Sequence, residues 1–314
     1  MGLGCDRIRV NCVSVRFCTK GIQRNMTKKE VLADGLLLLT ALIWGSAFAV
    51  IKNTLDSFAP GAIIAMRYVI GAAITAVLFR KHLKGIQKAD VIRGALVGLL
   101  LCCAYLIQTI GLQYTTAGKN AFLTTIYVLL VPFGCCLFFG QRLQRSTLLA
   151  ACMMLLGIGL LSLDGEGGGL NIGDILTLVC GVFYAAHIIA VERCQRQTNT
   201  YALIVLQFAF CALFAGIYSV VFERGMPMKF TLGSVGGLLY IAIFSTTIAM
   251  SLQNIGQSMA PASHAVILLS LESVFGVLFS CLLLGEKVTL QMGVGFAIIF
   301  AALLVSELAP KKSE

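Results

Sequence analysis

The most informative chemical group in this sequence is the carboxylate of Glu272. It lies in the middle of residues 265–284, a stretch with no other charged side chain and about as long as a bilayer is thick. A carboxylate at the bilayer centre costs about 2.5 to 3.5 kcal/mol on insertion scales, so such a group faces a partner, a bundle interior or a water-filled cavity. Two roles follow for Glu272: it carries protons, or it is a fixed anion held by helix ends.

Arg67 is the second charged candidate at membrane depth. It lies seven residues beyond Pro60, where an apolar stretch begins. At 1.5 Å per residue it is roughly 10 Å deep in a helix. An arginine at that depth needs an acceptor. Three acceptors are considered: a substrate carboxylate, Glu272 as counter-ion, and helix-end carbonyls. The last two are structural roles and are ranked ahead of substrate binding.

Two pairs of polar and aromatic side chains have helical spacing. Tyr105 with Gln108, and Tyr184 with His187, are each three residues apart and therefore share one helix face. Lipid offers these groups no hydrogen-bond partner. We expect them to line a cavity that binds a polar substrate, and the alternative is hydrogen bonding between helices, worth only about 0.6 to 2 kcal/mol.

Trp44 lies mid-span, too deep for the interfacial belt in which Trp usually anchors. It is predicted to form an aromatic cavity wall, and the alternative is a space-filling role between helices. Tyr127, Gln207 and Gln253 complete the set of cavity candidates. No nucleotide-binding loop, metal-ligand cluster or Ser/His/Asp set is present, so the sequence predicts no cofactor and no catalytic residues.

The elements that position these residues are membrane spans. The chain of 314 residues is 58% hydrophobic and 12% charged, with a mean hydropathy of +0.91, which is typical of a polytopic membrane protein. Long apolar runs without period-two alternation predict helices rather than a barrel. Ten spans are expected: residues 35–51, 60–79, 94–112, 121–140, 146–163, 175–191, 201–222, 231–252, 265–284 and 288–306.

The net charge of +10 is explained by topology. With the N-terminus inside, 18 of the 24 Lys and Arg residues lie in cytoplasmic segments, five lie in outer loops, and Arg67 lies within a span. This asymmetry predicts cytoplasmic termini in a cell (plasma or inner) membrane protein. The basic residues are not clustered as a nucleic-acid-binding face, so no nucleic-acid partner is expected.

A Gly-rich segment divides the spans five and five. Five is odd, so two homologous halves would enter the membrane from opposite faces, as in many secondary transporters. The predicted organisation is a cytoplasmic tail 1–33, a first repeat 34–163, an outer linker 164–173, a second repeat 174–306 and a cytoplasmic tail 307–314. Residues 1–25 lack an apolar pattern, and Met26 is the expected natural start.

Internal similarity supports two repeats. A gap-free shift of 145 residues places Gln108 on Gln253, and matches Gly-Gln-Arg-Leu from Gly140 with Gly-Glu-Lys-Val from Gly285. A shift of 140 places Trp44 on Tyr184. Apolar sequences match by chance, but the symmetric span count strengthens the interpretation.

Several motifs together resemble the EamA-type transporters of the drug/metabolite transporter superfamily. They are Ala-Leu-Ile-Trp-Gly-Ser-Ala-Phe at residues 41–48, Pro60 with Arg67, Thr-Ala-Gly-Lys-Asn-Ala-Phe at residues 116–122, and Leu-Leu-Leu-Gly-Glu at residues 282–286. The resemblance covers roughly residues 26–306. It implies ten helices, a cavity between two repeats, fifth and tenth helices off the substrate path, and export of small metabolites such as amino acids.

Two positions depart from the family pattern. Glu272 is followed by Ser273, where the family usually has the proline that favours a kink. Gly140 is followed by Gln141, where Glu is common.

The sequence therefore predicts a secondary transporter that exports small polar metabolites, amino acids or related compounds, by alternating access. The alternative is a drug or organic-cation efflux carrier, which needs a dominantly acidic cavity, whereas here Arg67 and His187 oppose Glu272. A third alternative is an intramembrane enzyme using His187 or His264, but no Gly-x-Ser-x-Gly opens a helix. Expected partners are the lipid bilayer, a small-molecule substrate and, as a candidate coupling ion, the proton. Gly293 and Gly295 are a candidate homodimer face.

Overall fold

The computed structural model describes residues 28–140, 145–162, 171–226, 228–260 and 262–308. All regular structure in these ranges is helical, as the sequence predicts, and no strand occurs in them. The leader 1–25, Gln141, most of the Gly-rich linker and the last six residues lie outside the described ranges.

Thirteen α-helices follow one another in these ranges. A 3₁₀ turn, Arg80–Leu83, follows α2, and a π-helical segment, Ile241–Ala249, joins α9 to α10. The helices are α1 (Lys28–Thr54), α2 (Pro60–Leu78), α3 (Lys88–Tyr114), α4 (Ala117–Thr124), α5 (Tyr127–Phe139), α6 (Arg145–Ser162), α7 (Ile172–Gln195), α8 (Thr200–Phe222), α9 (Leu232–Tyr240), α10 (Met250–Gln257), α11 (Ala262–Ser270), α12 (Glu272–Leu284) and α13 (Leu290–Leu308).

Within the described residues, seven helical stretches are long and apolar enough to cross a membrane. Three shorter apolar helices, within α6, α11–α12 and α13, occupy the other predicted spans. Several helices are longer than their predicted spans because polar residues cap them beyond the apolar core. In α3, Gln87 and Asp90 form a capping box, which starts the helix six residues before the predicted span at Gly94.

The predicted fourth and ninth spans are each broken into two helices. The first break lies at Thr125 and Ile126 between α4 and α5, and the second lies at Leu271 between α11 and α12. Side-chain hydroxyls bond to the preceding turn at both places: Thr125 to the carbonyl of Phe122, and Ser273 to that of Ser270 at 2.8 Å. Such back-bonding often bends helices, and here it accompanies a break beside Glu272 where no proline follows the carboxylate.

Helices α1 and α7 are the centre of the packing. Helix α1 contacts α12, α11, the π segment and α10, and α7 contacts α3, α4 and α5. Helix α2 packs on α8, and α6 packs mainly on α13. Close approach of α1 to α12 depends on glycine, because a Cβ added at Gly45 would overlap Phe275.

Candidate functional site

A cavity lies between α1, α3, α7, the π segment, α10 and the breaks of the two discontinuous helices. Helices α2, α6, α8 and α13 contribute no residue to its wall. The polar and aromatic residues of the wall are Trp44, Phe48, Tyr105, Gln108, Tyr127, Tyr184, His187, Ser245, Gln253 and Glu272. Seven of the eight sequence-predicted cavity candidates are therefore in the wall; Gln207 is the exception.

Glu272 opens α12 and is only 4% exposed. The hydroxyl of Tyr127 donates to its Oε1 at 3.1 Å, and Tyr127 is likewise the first residue of α5. Each group therefore stands where a helix restarts after a break. The N-terminal end of a helix stabilises a negative charge, so this position suits a carboxylate that has left water.

The aromatic part of the wall is held by contacts between rings. Tyr105 and Tyr184 meet edge to face with 5.3 Å between ring centroids, and Tyr127 lies 6.2 Å from Tyr184. The indole Nε1 of Trp44 donates to the backbone carbonyl of Ser245 at 3.0 Å. Because each ring is fixed by a neighbour, the cavity has a defined shape before any substrate enters.

Gln108 connects α3 to two other helices. Its Oε1 accepts from the Tyr184 hydroxyl at 2.8 Å, and its Nε2 donates to Thr124 Oγ1 at 3.0 Å. This carboxamide faces the cavity and also joins helices, so the two roles considered for it are compatible.

Gln207 lies behind the wall and is fully buried. Its Oε1 is 3.0 Å from Nε2 of His187, and its Nε2 donates to Oδ1 of Asn254 at 2.9 Å. Asn254 in turn donates from Nδ2 to the carbonyl of Met250 at 2.8 Å. His187 is thus the cavity end of a buried chain of amides that links α7, α8 and α10.

Arg67 is fully buried and does not line the cavity. Its Nε donates to Thr246 Oγ1 at 2.5 Å and its Nη2 to Ser245 Oγ at 3.2 Å. Its guanidinium lies 4.6 Å from the ring centroid of Tyr105. In the described ranges it forms no ion pair with Glu272, and it reaches hydroxyls rather than the helix-end carbonyls considered from the sequence.

Gln253 lines the cavity, and its Oε1 has no hydrogen-bond partner among the described residues. The chain also contributes two groups that sequence reasoning missed, Ser245 and Asn254. The predicted eighth span ends at Leu252, whereas α10 continues to Gln257, so Asn254 was left outside the membrane. No sequence feature marks Ser245 as a cavity residue, because a lone serine in an apolar helix is common.

No group of three or more His, Cys, Asp or Glu side chains suited to a metal ion occurs in the described part of the chain. Among its described residues, the wall combines aromatic rings, carboxamides, one imidazole, one carboxylate and one hydroxyl with aliphatic side chains and a methionine. Such a wall binds a small organic molecule by stacking, hydrogen bonds and charge.

Comparison with known proteins identifies the family of this chain. Residues 31–163 and 171–307 match the EamA-like transporter family. The chain is 36% identical over 283 residues to an uncharacterized transporter of Archaeoglobus fulgidus, covering 88% of this chain and 87% of that protein. It is 26% identical to the uncharacterized inner membrane transporter YedA of Escherichia coli, covering 87% and 90% of the two chains.

One crystal structure is similar in fold, with a TM-score of 0.67 at 18% identity, over 88% of this chain and 96% of that one. At this identity the likeness bears on the fold alone. The apolar helices make this a membrane protein, and the named relatives point to a transporter rather than an enzyme. With two segments matched across most of its length, the chain belongs to the EamA-like transporter family.

Proposed function

We propose that the protein is a secondary transporter that exports a small polar metabolite, an amino acid or related compound, by alternating access between two inverted five-helix repeats. The observation that carries this proposal is the cavity between the helices, whose wall combines aliphatic and aromatic side chains with a few polar ones. Small-molecule sites are mostly apolar and have a small number of polar groups that orient the ligand. A buried carboxylate is costly inside a membrane protein, which favours a functional reason for Glu272 in this wall.

Pairs of residues that touch support the two-repeat arrangement. Tyr127 and Glu272, which are hydrogen-bonded, are 145 positions apart, and so are Tyr105 and Met250, whose hydroxyl and sulfur are 3.6 Å apart. The shift of 145 residues is also the one that aligns the two halves in sequence. Residues next to a twofold axis must contact their own counterparts, so these contacts are expected if an approximate axis crosses the cavity.

The helix breaks and helix packing support the same arrangement. The first break lies at Thr125 and Ile126, and adding 145 to these numbers gives Ser270 and Leu271. The second break lies at this position. In the proposed repeats, α1 is equivalent to α7, and α3 is equivalent to α9, the π segment and α10. Accordingly, α1 packs on the π segment and α10, and α7 packs on α3. The equivalent helices α2 and α8 pack on each other, and so do α6 and α13. Discontinuous helices at a midplane site are a common feature of inverted-repeat transporters.

The proposed orientation has both termini in the cytoplasm of a cell (plasma or inner) membrane. It is supported by the excess of Lys and Arg in the segments assigned to the inside. Protons are the proposed coupling ion, because Glu272 is a carboxylate in the cavity wall.

The test is transport by purified protein in proteoliposomes. We expect accumulation of a labelled amino acid or amine when the vesicles are preloaded with the same compound, and stimulation by a pH gradient. Ala47 lines the cavity, so Ala47→Phe should fill it and abolish uptake. The matched control Leu137→Phe adds a ring at a site that is 78% exposed, and it should transport normally. Full uptake by Ala47→Phe would exclude this cavity as the substrate path.

A further inference from the structure

The hydrogen-bond donors of the cavity wall are almost all engaged with other parts of the protein. Each of the following donates to a protein acceptor: Trp44 Nε1 to Ser245 O, Tyr184 to Gln108 Oε1, Gln108 Nε2 to Thr124, Tyr127 to Glu272 and Tyr105 to the sulfur of Met250. Ser245 and Gln253 keep both donor and acceptor capacity. A ligand that needs many donors, such as a carboxylate or phosphate, therefore finds few.

Acceptors, by contrast, remain available. Glu272 uses Oε1 for Tyr127, and no described residue bonds to its Oε2. A carboxylate has about four lone-pair sites on its two oxygens, so most of its capacity is unused. Among the described residues of the wall it is the only acidic side chain, and none of them is Lys or Arg.

His187 adds a second acceptor, because the buried amides determine which nitrogen carries its proton. The Met250 carbonyl can only accept, so Asn254 turns its Nδ2 towards it and its Oδ1 towards Gln207. Gln207 then donates from Nε2 to Asn254 and presents Oε1 to His187, which must donate from Nε2. In the neutral imidazole the lone pair then lies on Nδ1, for which no described residue is a partner.

The positive charge near the cavity lies outside its wall. Arg67 donates to Thr246 and Ser245 and lies over Tyr105, so the guanidinium is separated from the cavity by the residues it contacts. The expectation that Arg67 balances Glu272 inside the cavity, which argued against a cationic substrate, is therefore not met in this arrangement. Aromatic rings, of which this wall has several, also attract cations.

We propose that the protein recognises its substrate through a protonated amine, so that a small organic ammonium compound without a carboxylate binds better than the matching zwitterion or anion. The inference rests on the proposed transport function and revises its substrate class, because the compound preferred by the same cavity keeps the amine of an amino acid and lacks its carboxylate. The ammonium hydrogens are received by Glu272 and by Nδ1 of His187. Gln207 and Asn254 are positioning residues, because they act only through the imidazole.

The test compares compounds that share one skeleton and differ in charge. Phenethylamine is the cation, phenylalanine the zwitterion, phenylpropionate the anion, and N-acetylphenethylamine has neither the charge nor the ammonium hydrogens. Binding is measured by tryptophan fluorescence in lipid nanodiscs, because the chain contains one Trp and Trp44 lines the cavity. A charged hydrogen bond is worth about tenfold or more in affinity, and we expect phenethylamine to bind that much more tightly than each of the others.

Variants then assign the preference to its residues. Glu272→Gln should remove the advantage of the amine over its acetylated form, whereas Glu192→Gln, a carboxylate outside the cavity, should keep it. Asn254→Leu frees Gln207 to turn over and should weaken amine binding severalfold without changing phenylpropionate binding. If Glu272→Gln fails to fold, the comparison of the amine with its acetylated form in the natural protein still decides.

The proposal is overturned if phenylalanine or phenylpropionate binds as tightly as phenethylamine, or if no amine alters Trp44 fluorescence up to millimolar concentration. Uptake in proteoliposomes separates this failure from that of the function. Transport of phenylalanine without amine selectivity would support the transport function and overturn the amine inference. Amine binding without transport of any compound would support the amine inference and overturn the transport function.

Discussion

Arg67 and Glu272 are buried close to the same cavity, but each is hydrogen-bonded to different partners, and Nη1 of Arg67 has no hydrogen-bond partner among the described residues. Arg67 donates to Thr246 and Ser245, while Glu272 accepts from Tyr127. Ion pairs do occur elsewhere among the described residues, for example between Arg93 and Asp90 and between Arg196 and Glu192. The guanidinium therefore holds α2 to the π segment.

This separation predicts additive effects. Arg67→Met removes hydrogen bonds from a charged donor and should cost about 2 to 3 kcal/mol of stability. Combined with Glu272→Gln, the two losses should add to within about 0.5 kcal/mol, as for residues that share no partner. Thermal unfolding of the four proteins in detergent measures this. A double variant more stable than Glu272→Gln alone would mean that the two residues form an ion pair.

At the scale of elements, two carboxylates cap helices that are distant in sequence. Glu286, just after α12, accepts from the backbone N–H of Ala117 and Gly118 at 2.8 and 3.0 Å. Glu223, just after α8, accepts from Gly61 and Ala62 at 2.7 and 3.0 Å. The first N–H groups of a helix lack internal partners and carry partial positive charge, so each carboxylate ties α4 or α2 to another helix.

Loss of either cap should weaken the fold. Helix α2 has no side chain of its own as N-cap, so Glu223→Ala leaves its first N–H groups unsatisfied. Helix α4 keeps the hydroxyl of Thr116 but loses two bonds in Glu286→Ala. Caps are worth about 0.5 to 2 kcal/mol, and we expect both variants to unfold at lower temperature. Asp56→Ala, which removes an exposed carboxylate, is the control, and equal melting of all three would contradict the capping role.

The π segment Ile241–Ala249 has a local reason and a tertiary effect. Thr247 Oγ1 bonds to the carbonyl of Ala242, five residues back, at 2.8 Å, which suits the wider π turn. Arg67 donates hydrogen bonds to the hydroxyls of Ser245 and Thr246. The indole N–H of Trp44 donates to the backbone carbonyl of Ser245. Irregular helical turns often occur at functional sites, and this one supports the cavity wall from behind.

At the scale of the whole molecule, the distribution of basic residues predicts which loops face the cytoplasm. In a protein without its twelve cysteines, Met226→Cys should react with a membrane-impermeant thiol reagent only from outside. Gln197→Cys should react only from inside, because its loop carries Arg193 and Arg196. Both positions are exposed. Labelling of both from one face would refute the proposed inverted topology.

The sequence by itself determined the helical membrane class and most of the polar and aromatic residues of the cavity wall. Apolar runs as long as a bilayer is thick have few alternatives to helices. Polar side chains are so costly at that depth that Glu272, His187 and Gln108 were recognisable as functional candidates from their positions alone. Helical spacing also predicted that Tyr184 and His187 share a face.

Only the tertiary structure decided which helix each face meets. Arg67 and Gln207 are polar at membrane depth, as are the wall residues, but they lie behind the cavity, where they bond to Thr246 and Asn254 from other helices. The helix breaks beside Tyr127 and Glu272 likewise follow from local hydroxyl bonds and packing that no proline signals. Periodicity assigns residues to a face of one helix, whereas a binding site forms where several helices meet, and that arrangement depends on contacts between residues far apart in the chain.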